Sequence, residues 1–156
     1  MVSLAVHRAA GWQLKDGLVE TRGDDAFEAT LKEAREALQG SALSTAAGEL
    51  SEAIQDLSRR PDPDLSGAVH HAMAVLECVA RDVTDDPKRT LGEILKKYPD
   101  LVPKPLDDAL SKIWGYASET ARHGREGRIL SREEAQLMVG LAATVASYLT
   151  QRRPTK

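Results

Sequence analysis

The sequence predicts an all-α protein: a helical bundle of about four long helices and one or two short ones, with a small β-hairpin at its N-terminal end. Three observations predict it. Apolar residues recur at spacings of three and four over most of the chain beyond residue 24. Several of those stretches open with Ser, Thr or Asp followed three residues later by Glu, the pair that satisfies free helix N–H groups reciprocally. Strand signals are nearly absent after residue 21.

Residues 1–40 divide into an N-terminal hairpin or arm and a first helix, and residues 41–153 form the main helical body. Within 1–23, Trp12, Leu14, Leu18 and Val19 flank Asp16-Gly17. An Asp-Gly pair supplies the positive φ angles of a two-residue hairpin turn, so 11–21 reads as a hairpin with Trp12 packed on the helical body. A partly ordered arm is the alternative for this stretch. Asp25 and Glu28 make a capping pair for the first helix, with Phe27, Leu31, Ala34 and Leu38 on its apolar face and Gly40 as its stop. A second helix over 44–60 carries Ala46, Leu50, Ile54 and Leu57, and Pro61 and Pro63 end it. From Ser66, a third helix with Val69, Met73, Leu76 and Val79 is the most apolar so far and should be central. Glu77 and Arg81 stand at i,i+4 on it.

Asp85-Asp86-Pro87 breaks the chain. Thr90 and Glu93 cap a short helix whose Leu91, Ile94 and Leu95 point inward. Pro105 suits the first turn of the next helix, which runs to about residue 121 with Leu106, Ala109, Leu110, Ile113, Trp114 and Ala117 toward the core. Ser131 and Glu134 cap the last helix, which carries Leu137, Met138, Leu141, Val145 and Leu149. Its alanines (Ala135, Ala142, Ala143, Ala146) permit close helix approach, either in the core or at a dimer seam.

The bulk numbers narrow the function. The 156 residues fit one domain that folds without a disulfide or metal. The single cysteine, Cys78, suits a reducing compartment and reads as core. Neither a secretory signal nor an apolar run of membrane-spanning length is present, which points to a cytoplasmic protein. A net charge of −3 argues against a broad nucleic-acid surface, and six aromatics (Phe 1, Trp 2, Tyr 3) are too few for a stacking platform. Neither a cofactor nor a metal is called for. His70 and His71 are adjacent, about 100° apart on a helix, and cannot chelate one ion together.

The functional candidate is the stretch 114–128, WGYASETARHGREGR. Arg122, His123, Arg125 and Arg128 gather there with Gly124 and Gly127, and Arg132 follows closely. A His among arginines suits phosphate chemistry: His moves protons near neutral pH, and Arg presents a forked donor to phosphate oxygens.

Residues 67–81 (GAVHHAMAVLECVAR), the Thr90-Leu-Gly start of the short helix, the run from Leu106 to Trp114-Gly-Tyr, the His123-Gly124 pair and the alanine-rich last helix come in an order that resembles the HEPN superfamily. The likeness is to HEPN-like domains of bacterial abortive-infection proteins and covers roughly 44–152. It implies a HEPN-like four-helix bundle with extra short helices, a homodimer, and a place in phage defence, alone or in a larger defence complex with a partner protein. Active members are metal-independent ribonucleases whose motif is an Arg and a His with some four to six residues between them. His123 matches the motif His and Gly124 the glycine that follows it. The motif Arg would fall at 116, 117 or 118, which hold Tyr116, Ala117 and Ser118.

Two readings follow. In one, the chain is a dimeric module that binds RNA, a nucleotide or a partner protein, and its nuclease motif is degenerate. In the other it is a metal-independent endoribonuclease: His123 is the acid/base, Arg122 or Arg125 holds phosphate with Arg128 nearby, and Tyr116 or Ser118 orients it. A bare helical interaction domain is the third alternative.

Overall fold

The computed structural model describes residues 11–123 and 129–152, with 121–123 described for their backbone alone. The chain folds into a hairpin, β1 (Trp12–Lys15) and β2 (Leu18–Thr21), followed by six helices among the described residues. These are α1 (Asp25–Gly40), α2 (Ser44–Ser58), α3 (Leu65–Thr84), α4 (Leu91–Lys97), α5 (Leu106–His123) and α6 (Arg132–Thr150). No helix among them is long and apolar enough to cross a membrane.

Helix α3 is the centre, as its apolar content predicts: it packs on α2, α6, α5 and α4. Small residues make that possible. Ala68, Ala72 and Ala80 of α3 and Ala135, Ala142, Ala143 and Ala146 of α6 are fully buried. The alanines of α6 therefore serve the intramolecular core, where the absence of a longer side chain lets helix axes approach closely. Larger side chains (Leu50, Ile54, Val75, Leu76, Val79, Val139) fill the space between.

The capping boxes at Thr90/Glu93 and Ser131/Glu134 are both formed. At α1 the cap is Asp24, not Asp25: its Oδ1 accepts the Phe27 N–H. Glu28 instead accepts the Gly23 N–H and the Gln13 side-chain amide, tying the helix to β1. Helix α1 ends at Gly40 as expected, but the glycine is not the left-handed residue of the turn. The left-handed residue is Ala42 (φ 57°), and the Leu43 N–H reaches back to the Leu38 carbonyl. Burial of Leu43 places the turn there, overriding the local preference for glycine. Helix α3 starts at Leu65, one residue before Ser66, under an Asp64 cap.

Two expected core positions of α5 lie outside. Leu106 is 60% exposed and Ala109 is exposed, whereas Asp107 is buried and pairs with Lys104. Leu110 and Ala117 carry the inward face. Trp114 packs on α4, where a Cβ at Gly92 would stand 3.2 Å from a ring carbon, so the Thr90-Leu-Gly pattern makes room for an indole. Glu77 and Arg81 are a half-buried pair that also bonds Leu91 N–H and the Arg89 carbonyl, joining α3 to α4. Asp86 accepts from Arg89, Lys97 and Tyr98, and the Lys97 bond foremost holds its carboxyl below the usual range.

The hairpin forms as its Asp-Gly turn predicts, with φ 49° at Asp16, 82° at Gly17, and Lys15 paired with Leu18. Its orientation is the unexpected part. Leu14 (76%), Leu18 and Val19 are exposed, and the buried residues are Glu20 and Thr21. Glu20 pairs with Arg35 of α1 at 2.7 Å, and the Thr21 N–H donates to Ser58 Oγ of α2. Trp12 meets the body through a guanidinium, with Arg60 3.4 Å above the ring.

The Glu20–Arg35 pair generates a prediction. Both side chains are largely buried, so Arg35→Met leaves a desolvated carboxylate and should cost about 2 kcal/mol in a urea titration. The double variant Glu20→Gln/Arg35→Met should recover most of that loss. A single variant as stable as wild type would show that the pair does not hold the hairpin.

Candidate functional site

Helix α5 passes from the α4 side of the bundle to the segment that carries the Arg/His cluster. It packs on α3 and α4, and its backbone does not come close to α6 among the described residues. The separation leaves an open groove of about 390 Å³ between the two helices. Lys112, Ile113 and Tyr116 line it from α5, and Glu134, Leu137, Met138 and Leu141 from α6. Leu137, expected in the core, is 61% exposed on its wall. Two such rows of aliphatic side chains suit an apolar group or a partner helix. Lys112 brings positive charge, Tyr116 a phenol, and the Glu134 carboxylate is committed to the Ser131 N–H at 2.9 Å.

Of the sequence-predicted site residues, Tyr116 lies on this groove, half-buried. Ser118 is half-buried, two positions further along α5. Arg125 and Arg128 lie outside the described residues, as do the side chains of Arg122 and His123. The backbone is helical through His123, so positions 122 and 123 stand about 100° apart around the axis. Arg132, which the sequence places beside the basic cluster, is used elsewhere. Its guanidinium donates to Thr21 Oγ1 (3.1 Å) and to the Leu57 carbonyl (3.2 Å). There it caps the C-terminal end of α2 and ties α6 to the hairpin.

A second cluster escapes the sequence reading. His71 Nδ1 lies 2.7 Å from Glu49 Oε2, and its Nε2 lies 3.7 Å from Asp56 Oδ2. Asp56 also meets Arg59 at 3.0 Å. The signal was present: Glu49 and Asp56 stand seven residues apart, on one face of α2. The His71 partner lies on α3, and only packing brings it there. His70, its neighbour, is exposed. A carboxylate-held imidazole is the arrangement that moves protons in catalysis, but here its second nitrogen faces Asp56, and the cluster fastens α2 to α3. Gly67 belongs to it, because a Cβ there would collide with Asp56 Oδ2. Among the described residues no group of three or more His, Cys, Asp or Glu is placed to hold a metal ion. Cys78 is half-buried, and burial pushes its thiol up, away from the nucleophilic thiolate.

The chain matches none of the family models, curated proteins or solved structures with which it was compared. Fold and groove together define a helical protein built around one central helix, with a hairpin attached at its edge.

The Asp56 cluster generates a pH prediction. Burial pushes this carboxyl up from its ordinary 3.8, against the opposing pull of Arg59. A raised folded-state value means the protonated carboxyl favours the fold. That contribution is complete below the unfolded value and is lost as pH rises through the folded one. Asp56→Asn should therefore gain stability relative to wild type as pH rises out of the acid range toward neutrality, read as urea midpoints for both proteins. A difference that is constant with pH would contradict it.

Proposed function

We propose that this chain is a HEPN-like module of a phage-defence protein, dimeric, which binds RNA, a nucleotide or a partner protein through the α5–α6 end of the bundle and carries a degenerate nuclease motif. The observation that carries this reading is the groove between α5 and α6, with Tyr116 on its wall, formed by the two helices that the segment with Arg125 and Arg128 links in sequence. An apolar trough between two helices that an arginine-rich segment joins in sequence suits a ligand with a base or other flat apolar group and a phosphate. The degenerate motif rests on Tyr116, Ala117 and Ser118 standing where an arginine would be needed. Helical backbone at Arg122 and His123 supports it too, since neighbouring helical positions diverge. The overall acidic balance (net charge −3) favours a local contact over a long nucleic-acid track.

The second reading, a metal-independent endoribonuclease with His123 as acid/base and Arg122 displaced from the usual position, draws on the same cluster and is separable by experiment. Wild type and His123→Ala are compared for solution mass and for RNA cleavage with EDTA present. The binding reading predicts a dimer that leaves RNA intact in both proteins. Cleavage that disappears in His123→Ala would replace it with the nuclease. For the ligand itself, Arg125→Ala/Arg128→Ala should weaken binding of a short RNA or nucleotide about ten-fold, equivalent to ~1.4 kcal/mol. Tyr116→Ala should weaken it with no change in the salt dependence, which reports phosphate contacts.

A further inference from the structure

The hairpin offers a second interaction surface, independent of the groove. In the register Trp12↔Thr21, Gln13↔Glu20, Leu14↔Val19, Lys15↔Leu18, the Arg22 N–H donates to the Gly11 carbonyl. Residues 11, 13 and 15 thus turn their backbone groups toward β2, and Trp12 and Leu14 turn theirs outward. On the other edge, the outward N–H of Thr21 is taken by Ser58 Oγ, so β2 is closed against α2 at that end. Among the described residues nothing closes the β1 edge. No helix backbone lies close to β1, whose link to α1 is the Gln13 side chain, and the N–H and C=O groups of Trp12 and Leu14 have no hydrogen-bond partner among the described residues. The face above them is apolar: Leu14 and Val19 are exposed, and Trp12, with Arg60 over its ring, is partly so. Edge strands are ordinarily blunted by proline, a bulge or charge, and here the only charge on β1 is Lys15, at its end.

We propose that the outer edge of β1 pairs with the same edge of a second copy of this chain, as an antiparallel seam centred on Gln13. The strand is self-complementary in that register. Trp12 stands opposite Leu14 of the second copy and Leu14 opposite its Trp12, so every outward N–H meets a carbonyl. Lys15 stands opposite Gly11, so no like charges face each other across the seam. The two hairpins become one four-stranded sheet, and Trp12, Leu14 and Val19 of both copies form a continuous apolar row, as cross-strand neighbours on one face do. Pairing through either residue with itself uses the edge less well. Leu14 on Leu14 carries Trp12 to Asp16, where the chain already turns with positive φ. The seam is short, well under the ~1,200 Å² of a stable interface, so the association is weak and concentration-dependent.

Amide hydrogen exchange and sedimentation, from micromolar to millimolar full-length chain, test it. Raising the concentration should increase the mass and slow exchange at Trp12 and Leu14 at least ten-fold. Gln13 and Lys15, bonded to β2 within each chain, should stay protected throughout. Leu14→Pro removes an N–H that the hairpin itself does not use and is tolerated on an edge strand. It should abolish the concentration-dependent protection of Trp12 while Gln13 and Lys15 stay protected, and Leu14→Lys should act likewise if the proline variant does not fold. The proposal is overturned if the Trp12 amide exchanges freely at every concentration. It is also overturned if Trp12 is protected regardless of dilution, which would mean that the chain's own residues 1–10 cover the edge. A dimer that persists in Leu14→Pro with Trp12 unprotected would overturn the seam and leave the groove-based reading intact.

Discussion

Close packing of α3 against its neighbours is the constraint from which the rest follows. Three alanines on α3 and four on α6 have no exposed surface, and with no side chain beyond Cβ the helices approach until their larger residues interlock. A longer side chain at Ala72 or Ala142 would have to push a helix outward, and α1 and α2, which rest on the same pair, would move with it. Because α6 spends its alanine face on α3 and α1, it offers Leu137, Met138 and Leu141 toward α5. Helix α5 has its own anchor, Trp114 over Gly92 of α4. The space between α5 and α6 is the consequence.

Polar contacts then settle what the apolar packing leaves free. The hairpin is attached by an ion pair, a hydroxyl, a side-chain amide and a cation over an indole, and its aliphatic residues point to solvent. Such an attachment is directional. Glu20 has to meet Arg35 and Thr21 has to meet Ser58, and this decides which face of the hairpin looks inward more firmly than the hydrophobic effect on three aliphatic side chains. Arg132 extends the same network to α6 by reaching both Thr21 and the end of α2. It joins three segments that are distant in the chain. The Glu49–His71–Asp56–Arg59 cluster does the same for α2, α3 and their connection.

These two layers bear on function in opposite ways. The groove exists because α5 and α6 are each anchored elsewhere, α5 on α3 and α4 and α6 on α3 and α1. The basic residues that would accompany a ligand there are fewer than the sequence suggests, since one of them, Arg132, is already spent on structure.

Element type and order were readable from the sequence: the spacing of three and four, the boxes at Thr90 and Ser131, the Asp16-Gly17 turn and the central place of α3. All of these depend on residues within one or two turns of one another. Positions whose environment comes from distant segments were not readable. Asp24 took the cap from Asp25 because Glu28 was drawn to Gly23 and Gln13. Ala42 took the left-handed turn because Leu43 had a place in the core. Leu106 and Leu137 stayed outside while Asp107, Glu20 and Thr21 went in. Of the candidate site, the sequence put Tyr116 on the helix before the Arg/His cluster, but the groove it lines, the diversion of Arg132 and the His71 cluster appeared only in three dimensions. Periodicity and capping are local properties of the chain. Whether a polar side chain is buried or a leucine is left outside depends on partners that only the tertiary structure supplies.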